Sequence, residues 1–440
     1  MLVRATIDNL FSFKETVELN MYPNKSRQLE HHKTAYDGIN VLRFAALYGA
    51  NGAGKSNFIK AMSLLASSVR RGTVIDPSDI KFKLSKSNQE RPSSIAVEFV
   101  SKKNYYYSLT FDAEGILYEA LSLSFRERDE IVFERVFDNG EEHLTFSPAY
   151  EKSDNNKLFI EVLRTKLIGR RSLLLSFLGK NYENDFADAA NAYFWMTQTL
   201  HIIGTEDKNN PIANLLDRHS GLLSFSNELI RSIDLGISDI AVQKTELSED
   251  DEILTLMKSD KTPDNIILSR KNSITGDVVE YLNEDGHVIA KKVMTSHKDD
   301  MGDGIIFPLG LESDGSKRLV DFLPMIYDLV TSEKVYLIDE IESSIHPMTI
   351  RALISKLSDS KEMKSQLVFT THESCLLDQE ILRTDEIWFA QKDTFGCSQL
   401  YPLSDYNVHH TANIENGYLN GRYGAIPFLS NLKELHWSNE

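Results

Sequence analysis

One eight-residue stretch narrows what this chain can fold into more than any other: Gly49-Ala50-Asn51-Gly52-Ala53-Gly54-Lys55-Ser56 satisfies the pattern GxxxxGK[ST] in full. The apolar run from Val41 to Tyr48 leads into it, and Phe58-Ile59-Lys60-Ala61-Met62 follows at helical spacing. A strand, a glycine-rich turn and a helix in that order let successive backbone N–H groups turn toward an anion. The helix N-terminus adds partial positive charge at the same place. Lys55 is expected to reach the β- and γ-phosphates of a nucleotide and the Ser56 hydroxyl to coordinate Mg²⁺, so that Gly49 to Asn57 form the nucleotide-binding segment. The bland alternative is a chance glycine-rich turn, and the context on both sides opposes it.

A second block of chemistry lies roughly 280 residues further along. Val335-Tyr336-Leu337-Ile338-Asp339-Glu340 reads as a buried strand ending in two acids. Adjacent carboxylates there are costly unless they meet a metal, a water or a cation. Given the phosphate loop, Asp339 is expected beside Mg²⁺ and Glu340 beside the attacking water as its base. Without that loop, an ordinary strand end reaching solvent would be the better reading. Leu367-Val368-Phe369-Thr370-Thr371-His372 is another apolar strand, closed by a histidine. His372 is either a satisfied surface residue or a hydrogen-bond partner of the γ-phosphate or the attacking water. In Leu311-Glu312-Ser313-Asp314-Gly315-Ser316-Lys317-Arg318-Leu319, Ser313 has the character of an N-cap, before a helix that Pro324 is placed to kink. That N-terminus is either a plain helix start or one that faces a nucleotide.

Composition bounds the rest. At 440 residues and 41% hydrophobic content, the chain can bury a large core in two or three lobes. It has no apolar run of the ~18 residues that a membrane helix needs. The opening MLVRATIDNLFSF alternates as a strand does and lacks the basic-then-apolar layout of a secretion signal. Cys375 and Cys397 form no CxxC pair, which argues against a disulfide scaffold or zinc site and fits a reducing cytoplasm. The formal net charge of −17 would repel a polyanion, and Arg70-Arg71 and Arg170-Arg171 are short pairs of the kind that stay solvated.

Three segments are expected: an N-terminal lobe over 1–150, a mostly helical insertion with a mobile acidic stretch over 151–305, and a C-terminal lobe over 306–440. Ser94–Val100, Tyr105–Phe111 and Ile116–Leu123 alternate closely enough for an antiparallel sheet. Ile131–Phe137 and His143–Phe146, around Asp138-Asn139-Gly140, read as a further hairpin. Leu158–Leu167 and Phe186–Leu200 read as amphipathic helices and Leu215–Leu235 as holding another, without the sustained heptads of a coiled-coil arm. The polar stretch 246–305, with Glu249-Asp250-Asp251-Glu252, is the expected place for mobile loops.

Together these pieces resemble the ABC-type ATPase superfamily and, within it, the SMC-like branch, where a long insertion separates the phosphate loop from the Walker B strand. On that resemblance Gly49–Ser56 is the Walker A loop, and Ser313–Lys317 the signature motif, with Ser313 and Gly315 contacting nucleotide. Asp339-Glu340 are then the Walker B acids, Ile341–Pro347 the D-loop region and His372 the switch histidine. The implied fold is α/β, an ABC-type ATPase head with a parallel phosphate-loop core sheet, an antiparallel β subdomain and a helical insertion between the lobes. The implied cofactors are ATP and Mg²⁺. The implied assembly is a homodimer or higher homo-oligomer whose heads sandwich ATP, each signature helix reaching the γ-phosphate held by the opposite subunit.

A narrower resemblance is to bacterial AAA15/AAA21-type ATPases of phage-defence operons, which include the abortive-infection AbiL ATPase and the ATPase subunit of the PARIS system. Asn9-Leu10-Phe11-Ser12-Phe13-Lys14, Phe133-Glu134-Arg135, Glu312-Ser313-Asp314-Gly315, Ile345-His346-Pro347 and Arg422-Tyr423-Gly424-Ala425-Ile426-Pro427 carry it. It implies a cytoplasmic ATPase that senses or regulates a separately encoded effector, a toxin or a nuclease of the TOPRIM or RloB-like kind. A RecF/SbcC-like DNA repair ATPase is the alternative, although no basic groove or long arm is visible. A self-contained nuclease is a third reading, opposed by the span of about 70 residues after His372, too few for a TOPRIM domain. Arg27 and His32 match a loose RxxxxH ribonuclease pattern only in a polar loop. Departures from the pattern are the carboxylate of Asp314 inside the signature motif, which implies either slow hydrolysis in trans or a geometry that points Asp314 away, and His346 in place of the D-loop aspartate. Gln89 is a Q-loop candidate by position alone, better explained as a surface residue, and Phe11 and Phe13 suit the core better than an adenine contact.

Overall fold

Strand alternation early in the chain becomes a sheet packed on one face. In Asn104–Phe111, Tyr105, Tyr107, Leu109 and Phe111 are buried while the residues between them are half-buried, the period-two pattern of such a sheet. A computed structural model describes residues 1–36, 38–125, 129–138, 140–152, 154–165, 168–205, 211–233, 235–247, 253, 257, 267–284 and 287–426. Asn139, the acidic run Glu249-Asp250-Asp251-Glu252 and Pro427 lie outside the described residues. Antiparallel strands follow one another in the order Glu141–Phe146, Glu130–Asp138, Ile116–Leu123, Asn104–Phe111, Ser93–Val100, Leu2–Asp8 and Val17–Asn20. The expected strands and hairpin are all there.

Phe44–Tyr48, Val335–Ile338 and Gln366–Thr370 are buried along their whole length, as continuous apolar runs in a parallel sheet are. They lie in a second sheet ordered Leu200–Ile203, Val335–Ile338, Gln366–Thr370, Phe44–Tyr48, Ile387–Lys392, Ser398–Pro402, parallel throughout except for the last pair. Parallel strands share one direction, so Tyr48, Ile338 and Thr370 end on the same edge, where sheets of this kind bind ligands. The helix Lys55–Arg71 starts from that edge, burying Phe58, Ile59, Met62, Leu65 and Val69 as one stripe. Gly72, at φ +79°, ends it by donating its N–H to the Ser68 carbonyl. One core cluster joins this helix to both sheets, from Leu2 and Phe99 to Leu47, Leu337 and Val368. Gln366 adds a polar tie, accepting from Leu2 N–H at 2.7 Å and donating to the Leu2 and Leu42 carbonyls at 2.9 and 2.7 Å.

By its internal packing the chain divides into two units. The first comprises Met1–Gly204, Glu333–Ile341 and Leu353–Glu440, and the second Thr205–Ser332 and Glu342–Ala352. In the first, the expected helix Phe186–Leu200 is shorter. Ala187–Phe194 is α-helical, Trp195–Thr199 is a π-helical turn, and Leu200–Ile203 is already a strand of the core sheet. Trp195 stacks on Phe99 at 4.1 Å, and the β-branched pair Ile202-Ile203 pairs with Leu337-Ile338.

In the second unit the stretch Leu215–Leu235, expected to hold a helix, carries Ser220–Ile233, and a shorter helix Ala213–Arg218 precedes it with His219 between them. The stretch expected to be mobile loops departs further. Asp239–Glu246, Leu268–Lys271, Val278–Glu284, His287–Lys298 and Gly304–Pro308 form an antiparallel sheet. Its outer strands expose most of their side chains, which is why their composition is polar and reads as loop. Asp314–Thr331 forms the long helix of this unit and continues through Pro324. Among the described residues, no helix is long and apolar enough to cross a membrane.

Candidate active site

The glycine loop owes its path to two close approaches. A Cβ on Gly49 would lie 2.4 Å from the Ala390 carbonyl oxygen, and one on Gly54, at φ +115°, would lie 2.5 Å from Ser398 Oγ. Asn51 and Gly52 form its exposed tip, while Ala53 is buried with its N–H on the Ala50 carbonyl at 3.1 Å. Lys55 is 5% exposed. Its Nζ donates to the Gly49 and Ala50 carbonyls at 2.8 and 3.4 Å, and lies 3.1 Å from His372 Nε2. An ammonium has only donors, so Nε2 is the acceptor in that contact. The amide of Asn57 donates to Ser12 Oγ at 2.7 Å, and Ser398 Oγ lies at the same distance from that atom. The Asn9–Lys14 stretch therefore braces the loop, with Phe13 fully buried and Asn9 tied by its side chain to the Asn88 carbonyl at 2.6 Å.

The acid pair meets this loop. Ser56 Oγ donates to Asp339 Oδ1 at 3.0 Å, across 283 residues of chain. Strand register accounts for the neighbourhood: Ile338 pairs with Phe369, so the next residues, Asp339 and Thr370, fall side by side. Thr370 Oγ1 donates to Asp339 Oδ1 at 2.7 Å and accepts the Glu340 N–H at 2.8 Å. Asp339 is 4% exposed, and Glu340 is half-buried with a left-handed backbone at φ +50°. A hydroxyl and a carboxylate this close are hard oxygen donors of the kind Mg²⁺ takes. Sequence reading passed over Thr370, whose only signal was a hydroxyl at the end of an otherwise apolar strand.

Ser313 and Gly315 belong to the second unit. Ser313 caps the helix Asp314–Thr331, its Oγ accepting the Ser316 N–H at 3.1 Å. A Cβ on Gly315 would stand 2.7 Å from the Ser344 carbonyl oxygen, so the turn at Ser344 packs on this helix start. The Asp314 side chain is 86% exposed and lies 3.1 Å from Lys317 Nζ. His346 is exposed, its Nδ1 accepting the Met348 N–H at 3.2 Å.

Other singled-out residues are structural. Arg135 is 1% exposed; it pairs with Glu142 and lies 3.7 Å from Glu119. Glu119 caps the helix Leu174–Asn181 through the Leu174 and Leu175 N–H groups, each at 2.9 Å. Tyr423 is fully buried, stacked on Phe389 at 5.8 Å beside Tyr48, the residue before the loop. Gln89 is exposed and donates to the Lys83 carbonyl at 3.1 Å. His32 departs from its expected polar loop. It is fully buried, with Nδ1 2.8 Å from Glu386 Oε2 and Nε2 3.0 Å from Ser358 Oγ.

The family model described as "AAA domain, putative AbiEii toxin, Type IV TA system" matches residues 44–378. No curated protein matches the chain in sequence. Among solved structures, the SmcHead bound to the C-winged helix domain of ScpA is 13% identical, with 91% of this chain and 97% of that chain covered and a TM-score of 0.43. The SMC head domain from Thermotoga maritima is 13% identical over 91% and 98%, with a TM-score of 0.41. The Smc head domain derived from Pyrococcus furiosus, with an extended coiled coil and bound to the C-terminal domain of ScpA, is 12% identical over 91% and 96%, at 0.42.

Proposed function

We propose, from the premise that the chain belongs to the AAA domain family matched over residues 44–378, that it binds ATP with Mg²⁺ and hydrolyses it slowly. The observation that carries this reading is the 3.0 Å contact of Ser56 Oγ with Asp339 Oδ1. The residues fit a magnesium–triphosphate. Gly49 and Gly54 admit no Cβ, a helix N-terminus follows, Lys55 is the adjacent cation, and the hydroxyl–carboxylate pair supplies oxygen donors. In this reading Gly49–Asn57 cradles the phosphates and Lys55 exchanges the Gly49 and Ala50 carbonyls for β- and γ-phosphate oxygens. Ser56 and Asp339 hold Mg²⁺, which supplies neutralisation of phosphate charge. Glu340 accepts the proton of the attacking water and His372 orients that water.

Ser313 and Gly315 act on the ATP of a second copy, so the working unit is a homodimer or higher homo-oligomer. Asp314 brings a carboxylate toward that phosphate, and its 3.1 Å pairing with Lys317 offsets part of the repulsion. Nucleotide-driven closure of such heads is a two-state element that a partner can bias. We assign the chain the role of sensor or regulator of a separately encoded toxin or TOPRIM/RloB-like nuclease in cytoplasmic anti-phage defence. The family's toxin–antitoxin description supports this reading, and a net charge of −17 weighs against a DNA-gripping role.

Glu340→Gln is expected to keep ATP binding and lose turnover by about 10²- to 10⁴-fold, the range for a positioned general base. Lys55→Ala is expected to lose ATP affinity. Unaltered turnover in the first or unaltered binding in the second rejects the site. Co-purification with the neighbouring gene products tests the effector role, whereas a lone chain that binds DNA tightly at physiological salt favours repair.

A further inference from the structure

Strand Gln366–Thr370 ends in a residue with no exposed surface whose hydroxyl sits at the centre of the acid cluster. A buried hydroxyl is costly unless bonded, and this one is bonded twice. Thr370 Oγ1 donates its single proton to Asp339 Oδ1 at 2.7 Å and accepts the Glu340 N–H at 2.8 Å. The carbonyl of the same residue accepts the Ile341 N–H at 3.1 Å. Three consecutive residues are thus held by one. The middle one, Glu340, has φ +50°, a conformation that a residue with a Cβ keeps only where its surroundings fix it.

We infer that Thr370 is a positioning residue for the proposed hydrolysis, a role that rests on the ATP reading of this site. It is too buried to touch nucleotide and acts through its two acidic neighbours. Its proton, with that of Ser56, fixes which way the Asp339 carboxylate faces. Its lone pair holds the Glu340 backbone in the left-handed turn that aims the Glu340 side chain. One hydroxyl therefore couples the metal-side acid to the water-side acid. Valine, its near-isostere, could make neither bond.

The test compares Thr370→Val with Thr370→Ser in the full chain. It reads thermal stability, turnover, and affinity for a fluorescent ATP analogue with Mg²⁺ or with EDTA. Thr370→Val is expected to bind the analogue like wild type in EDTA. It should lose roughly 10- to 100-fold in the Mg²⁺-dependent gain or in turnover, the range for groups that orient a metal ligand. Thr370→Ser keeps the hydroxyl and is expected to stay within about threefold of wild type in both. Wild-type Mg²⁺ response and turnover in Thr370→Val overturn the role. So does a folded Thr370→Ser with the losses expected of valine, because the methyl group would then be what matters. If Thr370→Val does not fold, Thr370→Ser decides alone, near-wild-type values supporting the role and lost values overturning it. A wild-type chain that binds no ATP overturns the ATP reading and this role with it. Failure of this role alone leaves wild-type ATP binding intact.

Discussion

Gly315 illustrates how a residue read from sequence as a ligand contact also has a packing duty. A Cβ there would stand 2.7 Å from the Ser344 carbonyl oxygen, a backbone atom that cannot swing aside, in a turn where Ser344 itself has φ +67°. Gly315→Ala is expected to destabilise the chain without any nucleotide by about 1–3 kcal/mol, as overpacking does. Thermal unfolding of the nucleotide-free chain checks this, and an unshifted midpoint would leave Gly315 with only a ligand-facing role. Asp314 is a milder case. In the proposed site its carboxylate would repel phosphate, but at 3.1 Å from Lys317 Nζ it forms an ion pair at three-residue spacing. At this scale the glycines, Lys55, Ser56 and the two acids were legible, because each carries chemistry in its type and spacing. Thr370 and His32 were not. A threonine ending a strand and a histidine in a polar run gain meaning only from partners far along the chain.

Elements position these residues through direction and register. Parallel strands deliver Tyr48, Ile338 and Thr370 to one edge, and the apolar runs make those strands legible in the sequence. The strand Leu200–Ile203 was hidden, because helical periodicity runs on through the π turn Trp195–Thr199 up to it. The outer strands of the second unit were hidden for the opposite reason, being solvated on most of their surface. The short helix Glu30–His32 is fastened to the strand Ile387–Lys392 by His32 and by Glu386, the residue just before that strand. Burial raises the Glu386 carboxyl above its ordinary 4.5, while His32 and the Arg383 N–H pull it back in part. A carboxyl raised on folding binds its proton more readily in the native chain. Its contribution to stability is therefore complete below 4.5 and is lost as pH rises through the folded value. Glu386→Gln removes that loss. Urea unfolding is expected to show the variant gaining on wild type as pH rises above 4.5. A variant that falls further behind over that rise contradicts the assignment.

For the whole molecule, one site assembled from distant segments governs the account. A net charge of −17 and 41% hydrophobic content are compatible with a large core and a field that disfavours polyanions, but they say nothing of catalysis. The proposed chemistry rests on closing 283 residues of chain between Ser56 and Asp339. Motif order alone implies that closure, and strand pairing builds it. What the sequence withheld was the sheet in the intervening segment, since exposed strands leave little apolar pattern to read. The most direct test is a double-mutant cycle of Ser56→Ala and Asp339→Asn on the Mg²⁺-dependent part of ATP affinity. If both hold one metal, each single change costs about 10-fold or more and the double change costs little beyond either alone. Losses that simply add, or an ATP affinity indifferent to Mg²⁺ in the wild-type chain, would contradict a shared magnesium–triphosphate.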